Sequence, residues 1–144
     1  MKRSQISVYA SLVMAVVLFL IIIVATVLLP RLLLFYFGPW HDFKMLMTAL
    51  CISVLPGIVC DVSLIGLLYN ILKGNIIAKR NVSILRVLSW CCIFVGIEYI
   101  IFGSQYLSMW LFSFAALFFG MILRVIKNVF EKTIEIREEN DYTI

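Results

Sequence analysis

The chain has 144 residues, of which 64% are hydrophobic and 14% charged, with a formal net charge of +4. A soluble domain carries roughly 25% charged and 45–50% apolar residues, so this composition excludes an ordinary globular core and a disordered chain. A basic balance would point to nucleic acid in a soluble protein, but here the cations flank apolar runs, as in membrane proteins, and no direct nucleic-acid contact is expected.

The first charge-free stretch covers 4–30 and is densest at 12–29. Crossing roughly 30 Å of hydrocarbon takes about 20 helical residues, because a helix satisfies its own backbone without water. The first span is therefore expected at about 8–29, stopping at Pro30. Lys2 and Arg3 would also suit the start of a signal peptide, whose apolar region is about 7–15 residues; this run is longer and reads as an uncleaved span. The outer connection, 31–44, gathers Phe35, Tyr36, Phe37, Trp40 and Phe43 around Gly38 and Pro39, a cluster suited to the headgroup layer. The second span is expected at about 45–72, interrupted by Asp61. The third is expected at about 84–102, with Arg86 near one end and Glu98 inside, and the fourth at about 107–126. Gly103, Ser104 and Gln105 leave room only for a tight turn, so spans three and four should be antiparallel neighbours. The expected fold is an all-α integral membrane protein, a single domain over 1–144, with four transmembrane helices in an antiparallel bundle.

Orientation follows from the cations. In this layout Lys2, Arg3, Lys73, Lys79, Arg80, Arg86, Arg124, Lys127, Lys132 and Arg137 fall on one side, and only Arg31 and Lys44 on the other. Cytoplasmic segments carry the excess of Lys and Arg, so both termini, the 73–83 loop and the 127–144 tail are expected in the cytoplasm. The tail has no Gly or Pro, and span four is expected to continue into it as a helical extension.

Asp61 and Glu98 are the acids within the spans. A charged acid near the bilayer centre costs roughly 2.5–3.5 kcal/mol, so such residues usually face protein or water. Asp61 lies twelve residues before Lys73 and Glu98 twelve residues after Arg86. A regular hairpin about Lys79 and Arg80 would bring the two acids to similar depth, where close carboxylates rarely both ionise and one should hold a proton. The pair suits a proton- or cation-linked site; its plainer role is a hydrogen-bonded lock on helix packing. Ser53, Gly57 and Asp61 recur every fourth residue, as do Ala116 and Gly120. Small residues at this spacing let helices approach closely in lipid. Intramolecular packing is the preferred reading, and a homodimer through one of these faces the alternative.

Cys51, Cys60, Cys91 and Cys92 all fall inside spans, and the single His41 sits in the outer connection. No C-x-x-C pattern occurs, so neither metal nor cofactor is expected. Nucleophile–base arrangements, phosphate-binding glycine loops and zinc-protease signatures are also missing, and an enzyme is not expected.

The remaining distinctive sequence is polar. Lys73-Gly74-Asn75-Ile76, followed by Asn81-Val82 and Leu85-Arg86, resembles the loop of a bacterial membrane family catalogued as domain of unknown function, number twenty-nine seventy-five. The ending Glu139-Asn140-Asp141-Tyr142-Thr143-Ile144 is similar to that family's ending. Ile77 and Ala78 depart from the usual aromatic and hydroxyl residues of the loop, and Tyr142 replaces a common leucine. The resemblance implies a bacterial inner-membrane protein without established activity, often encoded beside a small helix-turn-helix DNA-binding protein. Such a regulator would meet Asn75, Lys79, Arg80 and Asn81 in the loop. In the tail it would meet Phe130 and Ile134, which with Ile126 form an i, i+4, i+8 stripe, and Glu139, Asn140 and Asp141. The expected function is thus regulatory: binding or sequestering that partner through loop and tail. The alternative is a small proton- or cation-linked transporter using Asp61 and Glu98. The plain reading of loop and tail is that they pair with each other and brace the bundle.

Overall fold

A computed structural model describes residues 2–37, 41–102 and 107–141. Over these residues the chain is all-helical: α1 (Lys2–Phe37), α2 (His41–Leu72), α3 (Lys79–Phe102) and α4 (Leu107–Asp141). Each contains a segment long and apolar enough to cross a membrane, the layout of a multi-pass membrane protein. Side chains such as Val13, Met14, Leu20, Trp110, Phe114 and Phe119 are exposed along these segments. A helix that is apolar all round belongs in lipid, where such exposure carries no cost.

The apolar stretch of α1, Ile6–Leu28, agrees with the expected first span, but the helices themselves run beyond the expected spans. α1 does not stop at Pro30 but runs on to Phe37. Proline removes one backbone donor, but ending the helix there would leave several polar groups unsatisfied, which is costlier in an apolar setting. α2 likewise continues through Pro56. The outer connection consequently shrinks to 38–40; Gly38, Pro39 and Trp40 lie outside the described residues, and Phe35 to Phe37 form the last turn of α1. At the other end α3 begins at Lys79 rather than Ile84, so the loop between α2 and α3 covers only 73–78.

That loop is built by its own residues. Gly74, at φ 82°, ends α2 in the left-handed conformation that glycine adopts without steric cost. The Gly74 N–H donates to the Ile71 carbonyl at 3.0 Å and the Asn75 N–H to the Asn70 carbonyl at 3.1 Å, the paired bonds of a Schellman termination. Asn81 then clamps the turn. Its Nδ2 donates to the carbonyls of Asn75 (2.7 Å) and Ile76 (2.8 Å), while its Oδ1 accepts from Asn70 Nδ2 at 2.8 Å.

In space α1 packs on α2, α2 on α3 and α3 on α4; among the described residues no other pair of helices approaches closely. The helices form an open row in chain order. α2 and α3 run in opposite directions, since Ser53 meets Glu98 while Asn70 meets Asn81. α3 and α4 do likewise, with Gly96 against Ser113 at one end and Lys79 against Glu138 at the other. Their closeness rests on two glycines. A Cβ on Gly96 would come within 2.6 Å of Leu117, and one on Gly120 within 2.9 Å of Ile93. Reciprocal bonds tie this seam: Ser89 Oγ donates to the Gly120 carbonyl at 2.8 Å, and Ser113 Oγ to the Gly96 carbonyl at 2.7 Å.

Candidate functional site

Two polar regions stand out, one inside the row of helices and one at the end bearing the 73–78 loop. Inside, Asp61 and Glu98 are both buried, at 6% and 4% exposure. They are not brought together. Glu98 is level with Ser53, eight residues before Asp61 on α2, an axial separation of about 12 Å, or just over two turns. The Asn70–Asn81 bond on the same pair of helices keeps this register. The expected equal depth fails because the chain turns around 75–76, closed by Gly74 and Asn81, rather than about Lys79 and Arg80. Every α3 residue is thereby displaced relative to α2.

Each acid keeps its own arrangement. Ser53 Oγ lies 2.9 Å from the Ala49 carbonyl and 3.1 Å from Glu98 Oε2. A hydroxyl has one proton to donate. When Ser53 donates to Ala49, Glu98 must supply the proton of the second bond, which requires its acid form. Glu98 Oε1 and Asp61 Oδ2 are buried with no hydrogen-bond partner among the described residues. Beside Ser53, a cavity of about 210 Å³ between α1 and α2 is lined mainly by apolar groups, among them Ile22, Met47, Leu50 and Val54. Gly57 lines it too, and nothing lies within 4 Å of where its Cβ would be, so the Ser53–Gly57–Asp61 stripe does not make a close helix approach at its centre. The close approach uses Gly120 with Gly96, which the spacing of Ala116 and Gly120 only half revealed.

At the loop end, α4 continues well past the expected limit of span four. The stalk is fastened to the start of α3: Lys79 Nζ lies 2.7 Å from Glu138 Oε1, and Arg86 3.4 Å from Glu131 Oε1. Within the stalk, Lys127 pairs with Glu131 and Lys132 with Glu135, both at 2.7 Å. Between α3 and the stalk runs a groove of about 510 Å³, lined by Val82 and Ile134 and by charged side chains that include Arg86, Glu135 and Glu138.

The expected docking residues separate into distinct roles. Asn81 is 0% exposed and fully hydrogen-bonded within the turn, so it cannot meet a partner; its polarity serves the clamp. Asn75 is exposed but has its backbone committed to the same turn. Arg80, Glu139 and Asn140 are exposed, Lys79 is exposed and ion-paired, and Phe130 and Ile134 are half-buried. The side chain of Asp141 lies outside the described residues. Sequence reasoning missed Val129 and Ile136, which are exposed on the stalk; helical spacing from Val125 was the available signal. The loop residues that carry the family resemblance, Gly74, Asn75, Asn81, Val82 and Leu85, are largely those that build the turn and its buried flank.

The chain matches no family model, no curated protein and no solved structure.

Proposed function

We propose that this protein is a regulatory anchor of the bacterial inner membrane that holds a small helix-turn-helix DNA-binding partner at the cytoplasmic face. The observation that carries this reading is the stalk. α4 is 35 residues long without a break, about 52 Å of helix, against roughly 30 Å of hydrocarbon. About 20 Å of it therefore projects beyond the bilayer, braced on α3 and presenting Val129, Ile136, Glu139 and Asn140. The docking surface in this reading comprises the groove, with Lys79, Phe130 and Ile134, together with Arg80, Glu139, Asn140 and Asp141. Membership of the family that the loop and tail resemble, and both termini in the cytoplasm, belong to the same proposal; the ten-to-two split of cations supports the orientation. A second copy packed on the open edge of the row is the homodimer form of the same proposal.

The test is co-purification, from detergent-solubilised membranes, of the tagged protein with the helix-turn-helix regulator that the resemblance implies is encoded beside it. Capture that is lost when Glu139 and Asn140 are both changed to Lys would support it. No capture, with the regulator's target transcripts unchanged on deletion, would overturn it.

A second reading is favoured by a separate observation, the two buried carboxylates, each with an oxygen that has no hydrogen-bond partner among the described residues. In that reading Asp61 and Glu98 are successive stations of a proton- or cation-linked path. Loss of function in Asp61→Asn or Glu98→Gln, with the stalk variants active, would select it.

A further inference from the structure

Where α3 and α4 approach the loop end they enclose a small cleft of about 50 Å³, lined by Arg86, Ser89, Trp90, Arg124 and Lys127. Its chemistry is one-sided. The Arg124 guanidinium lies over the Trp90 ring, 4.7 Å from the centroid, and has no carboxylate partner among the described residues. Lys127 has a side chain only 14% exposed. Glu131 bonds Lys127 and Arg86 but does not line the cleft. Three cations against this one carboxylate leave a surplus of two positive charges. The Ser89 hydroxyl is spent on the Gly120 carbonyl, so the available donors are the cations.

Depth narrows the ligand. From Leu107 to Arg124 the helix rises about 26 Å, a little less than the roughly 30 Å hydrocarbon thickness. Arg124 and Lys127 therefore stand at the boundary between acyl chains and headgroups, and Trp90, 54% exposed, has the amphipathic ring that favours that layer. A free anion would have to leave water to reach Arg124. The phosphate of a phospholipid is already there.

We propose that this cleft binds the phosphate of an anionic phospholipid, with Arg124 and Arg86 donating to its oxygens and Lys127 adding charge. Stacking on Trp90 holds the Arg124 plane ready, and a planar guanidinium fork matches phosphate oxygens two at a time. The cleft admits one small anionic group, so the phosphate is gripped while the rest of the headgroup lies outside. The inference rests on α3 and α4 crossing a bilayer and is independent of any regulatory partner. With the orientation proposed above, the lipid is one of the inner leaflet, where anionic lipids attract basic segments.

The test uses the full-length protein in nanodiscs of phosphatidylcholine containing a minority of phosphatidylglycerol, with retained lipid read by native mass spectrometry. Phosphatidylglycerol should be retained in preference to phosphatidylcholine. Arg124→Gln and Arg86→Gln should each lower that preference about fivefold, the effect of one basic residue near a charged surface. Glu131→Gln, which removes the competing carboxylate, should raise it, a gain that misfolding cannot mimic. Equal retention of the two lipids would overturn the proposal. So would full retention by the Arg124→Gln, Arg86→Gln double variant, or inorganic phosphate displacing phosphatidylglycerol as effectively as the lipid binds.

Discussion

Asn81 illustrates how a polar side chain can be committed wholly to its own fold. It is fully buried, and its amide donates two hydrogen bonds and accepts one across the turn between α2 and α3. Asn81→Ala leaves the Asn75 and Ile76 carbonyls and the Asn70 amide without these partners. At about 1 kcal/mol per bond lost, with more for groups left unsatisfied, it should cost roughly 2–4 kcal/mol. Asn81→Asp should also destabilise, because a carboxylate cannot donate to two carbonyls. Thermal unfolding in detergent and protease cleavage at 75–78 would measure both. Gly96 is the second sensitive residue. Its absent Cβ is the space that Leu117 occupies, so Gly96→Ala should lower the unfolding free energy by about 1–3 kcal/mol through overpacking. Gly57→Ala, with open space around it, should not. Glu98→Gln should retain the fold, since an amide can still donate to Ser53. Glu98→Lys should prevent assembly, because it buries a cation where Ser53 offers one weak partner.

At the scale of the element, α4 is two helices' worth of chemistry in one unbroken rod. Its first part is apolar and locked to α3 by Ser113, Gly120 and Ser89; its last part carries charges paired across to α3. The two kinds of fastening differ in strength. The Lys79–Glu138 pair is half exposed or more on both sides, and exposed pairs contribute about 0.2–1 kcal/mol. A double-mutant cycle on Lys79 and Glu138 should therefore give a coupling below about 1 kcal/mol, falling further at 1 M salt, where the Debye length is about 3 Å. Ser113→Ala should cost more, because it removes a buried hydrogen bond between α3 and α4 that solvent neither screens nor replaces. A coupling well above that of Ser113 would mean that the stalk, not the seam, holds α4 in place.

For the whole molecule, α1 and α4 each have one neighbour in the row of helices among the described residues. Broad apolar faces are left open on α1 and α4, as on helices that are apolar enough to cross a membrane. Reporter fusions provide the check on orientation: those at Trp40 and Gln105 should read external, and those at Asn75 and Ile144 internal. An external Ile144 would place the cationic end, and with it the phosphate cleft, on the opposite face.

Length and hydropathy alone determine the four apolar helices, because about 20 consecutive apolar residues in lipid have no other way to satisfy their backbone. Absence of Gly and Pro from the tail likewise makes the stalk legible, and an acid within an apolar run marks itself as facing protein. Contacts between helices are another matter. Whether Asp61 meets Glu98 depends on the register of α2 against α3, which is set by a turn of a few residues whose closing bonds come from Gly74 and from Asn81 on the far side. The two glycines of the α3–α4 seam lie 24 positions apart and pair only once the helices are side by side. The cluster of Arg86, Arg124 and Lys127 around Trp90 likewise unites residues of two helices. Local pattern specifies an element because hydrogen bonds in a helix are local. Depth, register and the meeting of distant side chains belong to the tertiary structure, because they depend on packing between surfaces that one-dimensional order does not contain.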